Sequence, residues 1–295
     1  MTANLGTWRA AQQTFSHGGH ELAYWGDGAG EPLLLIHGFP TASWDWAPIW
    51  PALAQRFRLI AMDMLGFGFS SKPRPYVYSI SEQADLYERL LAELGFGHCH
   101  ILAHDYGDTV AQELLARFEE RRVAGAAGLE LRSICFLNGG LFPESHQPRP
   151  IQVALAGPDG AAISALLDEA RFSQGFGEVF GPATQPSAAA LADFWQQVAY
   201  ADGHRIWHLL IRYMEERRTN RERWVGALLR ASIPLRLVDG PEDPVSGAHL
   251  AARYRDQVPN ADVVLLPGIG HYPQLEDPAG VLRAFLAFHD GRVRG

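Results

Sequence analysis

The sequence predicts an α/β architecture: a mostly parallel central sheet flanked by helices, with one helical insertion. Three observations carry this reading. Short apolar runs ending in glycine alternate with longer helical patterns along most of the chain. The runs are continuously apolar, as in strands covered on both faces, and not alternating as in a half-exposed sheet. From about 143 to about 224 the strand signal disappears and only helical periodicity remains.

The elements follow in order. "PLLLIHG" (Pro32 to Gly38) and "FRLIAMDMLG" (Phe57 to Gly66) read as buried strands. Ser79 or Ser81 can cap the helix "SEQADLYERLLAELG", which closes at Gly95. "HCHILAHD" is the next strand, "TVAQELLARFEE" the helix after it, and "RSICFLNGG" (Arg132 to Gly140) the strand that follows. The stretches "AAISALLDEARF", "AAALADFWQQVAY" and "RIWHLLIRYMEER" then read as helices. The strands resume with "IPLRLVDG" (Ile233 to Gly240) and "ADVVLLPG" (Ala261 to Gly268), and "PAGVLRAFLAFHD" is a closing helix. The expected division is a core of residues 1–142 and 225–295 and a helical cap of residues 143–224. Sheets of this type bind ligands beyond the carboxyl ends of their strands, so such a cap would roof the site.

Composition narrows the function. A chain of 295 residues, 47% hydrophobic and 20% charged, is long enough for a large core. A formal charge of −8 without a Lys/Arg-dominated tract argues against nucleic acid as partner. The basic cluster from Arg217 to Arg223, "EERRTNRERW", is mixed with acids and reads as a solvated helix face. Cys99 and Cys135 sit in apolar runs and read as buried free thiols. The start "MTANLGTWRAAQQTF" lacks the pattern of a secretory signal. No apolar run approaches the roughly 18 residues of a membrane span. A cytoplasmic enzyme or binding protein is expected.

The chemistry centres on "ILAHDYGDT". The pattern small–x–nucleophile–x–small marks a sharp strand-to-helix turn that exposes one side chain. Here it reads Ala103-His104-Asp105-Tyr106-Gly107, with Asp105 in the nucleophile position and no GxSxG elsewhere to compete. This architecture orders nucleophile, acid and histidine along the chain. "GPEDP" after one strand offers Asp243 as the acid, with Glu242 and Asp239 as neighbouring alternatives, and "GHYPQLEDP" after the next offers His271. Gly38 in "HGFP" lets the backbone approach a ligand closely, so the N–H groups of Phe39 and Tyr106 would form an oxyanion hole. His37 reads as a packing and hydrogen-bonding residue.

The motifs "HGFP", "DMLGFGFS", "HDYGDT", "GPEDP" and "GHYPQLEDP" resemble the α/β-hydrolase superfamily, in the aspartate-nucleophile branch of epoxide hydrolases and haloalkane dehalogenases. "HDYGDTVAQELL", "LNGGLFPESHQP", "RERWVGALL" and "HYPQLEDP" are similar, more narrowly, to the mesoderm-specific transcript hydrolase family and its bacterial relatives. The resemblance implies Asp105 as nucleophile, His271 as base, Asp243 as acid, a helical cap and a cis bond before Pro40.

A carboxylate is already ionised near pH 7 and can displace a leaving group from saturated carbon, giving an alkyl ester that a His-activated water hydrolyses. No metal or organic cofactor is required. Epoxide opening needs an acid, which relatives supply as cap tyrosines; Tyr213, then Tyr200, are the candidates here. Halide release needs side-chain N–H donors. Dehalogenases usually place Trp after the nucleophile and often Asn after "HG", where this chain has Tyr106 and Phe39. Trp195 or Trp207 would have to substitute. Epoxide hydrolases also usually carry Trp where Tyr106 stands. Hydrolysis of a small to medium apolar epoxide, with water as the second substrate, is the expected activity, with haloalkane dehalogenation, esterase-like hydrolysis and a non-catalytic binding role as alternatives.

Overall fold

The computed structural model describes residues 4–293. Among them, eight strands form one sheet: β1 (Gln13–His17), β2 (His20–Asp27), β3 (Glu31–Ile36), β4 (Phe57–Met62), β5 (His98–His104), β6 (Glu130–Leu137), β7 (Leu235–Asp239) and β8 (Val263–Leu265). Their order across the sheet is β1-β2-β4-β3-β5-β6-β7-β8. β1 and β2 join antiparallel, and every pairing from β4 to β8 is parallel. The continuous apolar runs are explained by this placement. Leu33 to Ile36 of β3 are fully buried between β4 and β5. Each such side chain stabilises the fold by roughly 2 kcal/mol relative to exposure.

The strand runs, the helix at Ile80–Glu93 and the helix at Pro278–Phe288 lie where the sequence places them. Ser79, not Ser81, is the cap: its hydroxyl accepts the Glu82 N–H at 3.2 Å. The hairpin β1–β2 was not anticipated. Its signal was the Gly18-Gly19 pair, whose φ values of 60° and 82° make a two-residue hairpin turn. Cys99 and Cys135 are buried and free. None of the described helices is long and apolar enough to cross a membrane.

Between β6 and β7 the described chain is helical: Pro150–Ala156, Gly160–Ala165, Glu169–Gly177, Ala188–Ala199, Trp207–Leu210, Tyr213–Thr219 and Arg221–Leu229. The pattern "RIWHLLIRYMEER" is two short helices instead of one. The expected division after Trp224 falls inside the helix Arg221–Leu229, which packs against the helix Tyr106–Ala124 beside the sheet.

The basic cluster requires a correction. Arg217 is 2% exposed, not a solvated residue. Arg223 pairs with Glu113 and Glu120, and Trp224 donates its indole N–H to Glu113 at 2.7 Å. The pattern misled because both arginines face acids or hydroxyls of the helix Tyr106–Ala124, a partnership that sequence spacing does not reveal.

Candidate active site

β5 delivers Asp105 to the carboxyl edge of the sheet, and the helix Tyr106–Ala124 begins at the next residue. The turn between them is tight. Asp105 itself has φ 48° and ψ −105°, an uncommon conformation for a residue with a side chain. Gly107 is required by close approach: a Cβ there would lie 2.3 Å from the Ile36 carbonyl oxygen and 2.6 Å from that of His37. Gly38 answers it from β3, since a Cβ at that position would meet the Cβ of Asp105 at 2.9 Å. The peptide bond before Pro40 is cis. The Phe39 N–H donates to Asp105 Oδ2 at 3.0 Å.

The loop after β8 carries His271, and the loop after β7 carries Asp243. His271 Nδ1 lies 2.7 Å from Asp243 Oδ2, which leaves Nε2 free. Asp243 Oδ1 accepts the Val245 N–H at 2.7 Å. Burial pushes the Asp243 carboxyl up, but the charge and hydrogen bond of His271, the Val245 N–H and Ser246 outweigh it and hold the group below its usual range. Burial likewise lowers His271, and the Asp243 charge and hydrogen bond, followed by the Asp105 charge, overcome this and raise it to about 9. The neighbouring acids play no part in this pair. Glu242 is exposed, and Asp239 is driven up to about 8, first by burial and then by the charge of Asp243.

Two partners of Asp243 were not anticipated. Asn138, at the end of β6, donates from Nδ2 to Asp243 Oδ2 at 3.1 Å and to the Gly240 carbonyl at 3.0 Å. Ser246 Oγ is 2.9 Å from Asp243 Oδ2. The available signal was an asparagine at a strand's carboxyl end, just before Gly139 and Gly140. His37 accepts the Met64 N–H at Nε2 (3.0 Å), and burial lowers it to about 4, consistent with a structural place.

Asp105 and His271 line one cavity of about 120 Å³, closed in part by Phe39, Leu155, Phe172 and Trp207. The inserted helices are sewn to the histidine loop. The His271 N–H donates to the Val179 carbonyl at 2.8 Å. Glu276 Oε2 accepts the N–H of Gly181 and the N–H of Gly270, each at 2.8 Å.

The four aromatic candidates separate. Trp207 lines the cavity and packs edge-on against Phe39. Tyr213 packs against Phe39 and Tyr106, with ring centroids 6.1 and 4.9 Å away. Its hydroxyl is buried beside Arg217 and Gln152, behind the residues that line the cavity, and burial followed by the Asp105 charge raises its pKa. Trp195 is one layer back, against Phe172 and His204. Tyr200 does not belong to the site: it is 36% exposed and packs on Phe69 beside Arg9 and Lys72. Ala201 and Asp202 adopt positive φ after it and turn the chain, which the smooth helical pattern conceals. Among the described residues no three His, Cys, Asp or Glu side chains gather as a metal site.

The geometry joins a buried carboxylate, a backbone donor on it and a His–Asp pair across one small cavity. A family profile described as the alpha/beta hydrolase fold matches residues 31–278. The mesoderm-specific transcript homolog protein of Bos taurus is 43% identical over 301 residues, covering 98% of this chain and 88% of that protein. The haloalkane dehalogenase DbeA from Bradyrhizobium elkani USDA94 superposes with a TM-score of 0.78 at 23% identity, over 95% of this chain and 97% of that one. The epoxide hydrolase CorEH superposes with a TM-score of 0.77 at 20% identity, over 95% and 98%. The two scores are nearly equal, so overall shape does not distinguish the two chemistries.

Proposed function

The chain belongs to the α/β hydrolase fold family, and we propose that within it the protein hydrolyses a small apolar epoxide through a covalent ester on Asp105. The observation that carries this reading is the shared cavity: the Asp105 carboxylate, held by the Phe39 N–H, and His271, backed by Asp243, open onto the same space. The inserted helices act as its lid. A volume of about 120 Å³ is below the roughly 300 Å³ at which drug-sized sites begin. The closed site therefore suits a substrate of about one ring.

An Asp105 oxygen attacks a ring carbon, the C–O bond breaks, and the alkoxide takes the Tyr213 proton. Esterification removes the Asp105 charge, one of the influences that keep His271 protonated. The imidazolium then gives its proton back to Tyr213 and becomes the base. It deprotonates a water that attacks the ester carbonyl, and the Phe39 and Tyr106 N–H groups hold the oxyanion. On collapse the leaving diol oxygen takes the proton that His271 removed from water, and Asp105 is left as the carboxylic acid. The remaining acid proton returns to His271, which restores the resting state.

The direct test is His271→Gln. With an epoxide that the parent consumes, the variant should stop at the ester, read by mass spectrometry as a gain of one substrate mass on the peptide containing Asp105. An unmodified peptide under those conditions rejects the nucleophile.

The halide reading has one observation in its favour, the Trp207 indole on the cavity wall. Tyr213→Phe separates the two. Epoxide opening should fall on the order of 10²-fold, the worth of a positioned acid, while release of halide from a matched haloalkane stays within about threefold. Equal loss of both activities would remove Tyr213 from the acid role.

A further inference from the structure

Arg217 stands against the nucleophile in a way the mechanism above does not use. It rises from the helix Tyr213–Thr219 of the inserted segment and is buried. Its Nε donates to Thr109 Oγ1 at 2.7 Å, in the first turn after the elbow. Its Nη2 donates to the backbone carbonyl of Asp105 at 3.1 Å and lies 3.7 Å from Asp105 Oδ1. The last distance is too long for a hydrogen bond, but it leaves a full positive charge beside the carboxylate where little water screens it. The guanidinium carbon sits 4.5 Å over the Tyr213 ring. Gly140 makes room for the head group, since a Cβ there would be 2.2 Å from Nη1.

Burial governs the other ionisable groups around this contact. Burial, followed by the Asp105 charge, drives Asp108 well above the usual carboxylate range, and burial likewise raises Asp239 to about 8. Burial first, then neighbouring positive charge, lowers His104 and His146 to about 3. Arg217 is the basic side chain that reaches Asp105 from the inserted helices, with Nη2 3.7 Å from Oδ1, while His271 shares the cavity with Asp105.

We propose that Arg217 is a positioning residue that, from the inserted helices, holds the backbone carbonyl of Asp105 and sets its positive charge beside the carboxylate, and so aims the attacking oxygen. This rests on the reading of Asp105 as nucleophile. Oδ2 is tied by the Phe39 N–H from the core side, and Oδ1 faces the guanidinium from the insertion side. The carboxylate is thus approached by two parts of the chain, the loop after β3 and the inserted helices.

The test measures the two half-reactions separately. Ester formation is followed by rapid quench in the His271→Gln background with styrene oxide as the probe, or with another epoxide the parent consumes. Ester hydrolysis is followed with His271 intact. Arg217→Met should slow ester formation on the order of 10²-fold, the scale expected of a misplaced nucleophile, while hydrolysis of the ester changes by less than about threefold. Arg217→Lys should recover part of the loss, since it restores the charge without the fork. If Arg217→Met does not fold, Thr109→Val removes the Nε anchor and should slow the same step by a smaller factor. Ester formation within about twofold of the parent in a folded variant overturns the proposal, as does equal slowing of both half-reactions. Failure of the His271→Gln protein to form any ester overturns the nucleophile reading and this proposal together, whereas normal ester formation untouched by Arg217→Met overturns this proposal alone.

Discussion

Asp105→Asn should reduce turnover on the order of 10⁴-fold, about 5 kcal/mol of barrier, while leaving the fold and substrate binding in place. Asparagine has the same shape, and its amide oxygen can still accept the Phe39 N–H that now lies 3.0 Å from Oδ2. What it lacks is the charge and the electron pair that make a carboxylate attack saturated carbon. The loss should therefore appear in turnover, not in the dissociation constant of an unreactive substrate analogue. Calorimetry and turnover on the same preparation decide the matter. A variant that keeps turnover within tenfold of the parent leaves Asp105 with no covalent role.

Gly107→Ala should destabilise the protein by about 3 kcal/mol, lowering Tm by roughly 8 °C. The added methyl would meet two backbone oxygens, those of Ile36 and His37, at 2.3 and 2.6 Å. Neither belongs to a flexible side chain: both lie at the end of β3, which is paired on each side with β4 and β5. Relief requires the helix Tyr106–Ala124 to back away from the sheet, and this also moves Asp105. Gly97→Ala is the matched control, since nothing stands within 4 Å of a Cβ there, and it should change stability by less than about 0.5 kcal/mol. Thermal melts of the two variants side by side check the argument, and a Gly107→Ala melting point equal to that of the control would refute it.

The sheet was legible because burial on both faces leaves a plain mark, a run such as "PLLLI" bounded by glycine. The order of Asp105, Asp243 and His271 was legible because each follows such a run. The elements that were missed share a different cause. Strands β1 and β2 sit at the sheet edge, where polar residues interrupt the pattern and only Gly18-Gly19 marks the turn. Asn138 and Ser246 act on Asp243 from other segments, and contacts of that kind have no local spacing. Arg217 was misread because its neighbours in sequence are solvated. Tyr213, Met214 and Arg217 are all buried on one face of their helix, so the arginine occupies a position that packs inward. Tyr200 was taken for a site residue because nothing in "QQVAYADGH" announces that Ala201 and Asp202 take positive φ.

Glu276 ties the inserted segment and the loop carrying His271 into one knot, accepting the N–H of Gly181 from the first and of Gly270 from the second, so a substitution that removes this carboxylate loosens both at once. The rim near Arg149, Ile151 and Arg171 is held differently: Ile151 is 41% exposed, and Arg149 pairs with Glu178, one residue before the Val179 carbonyl that accepts the His271 N–H.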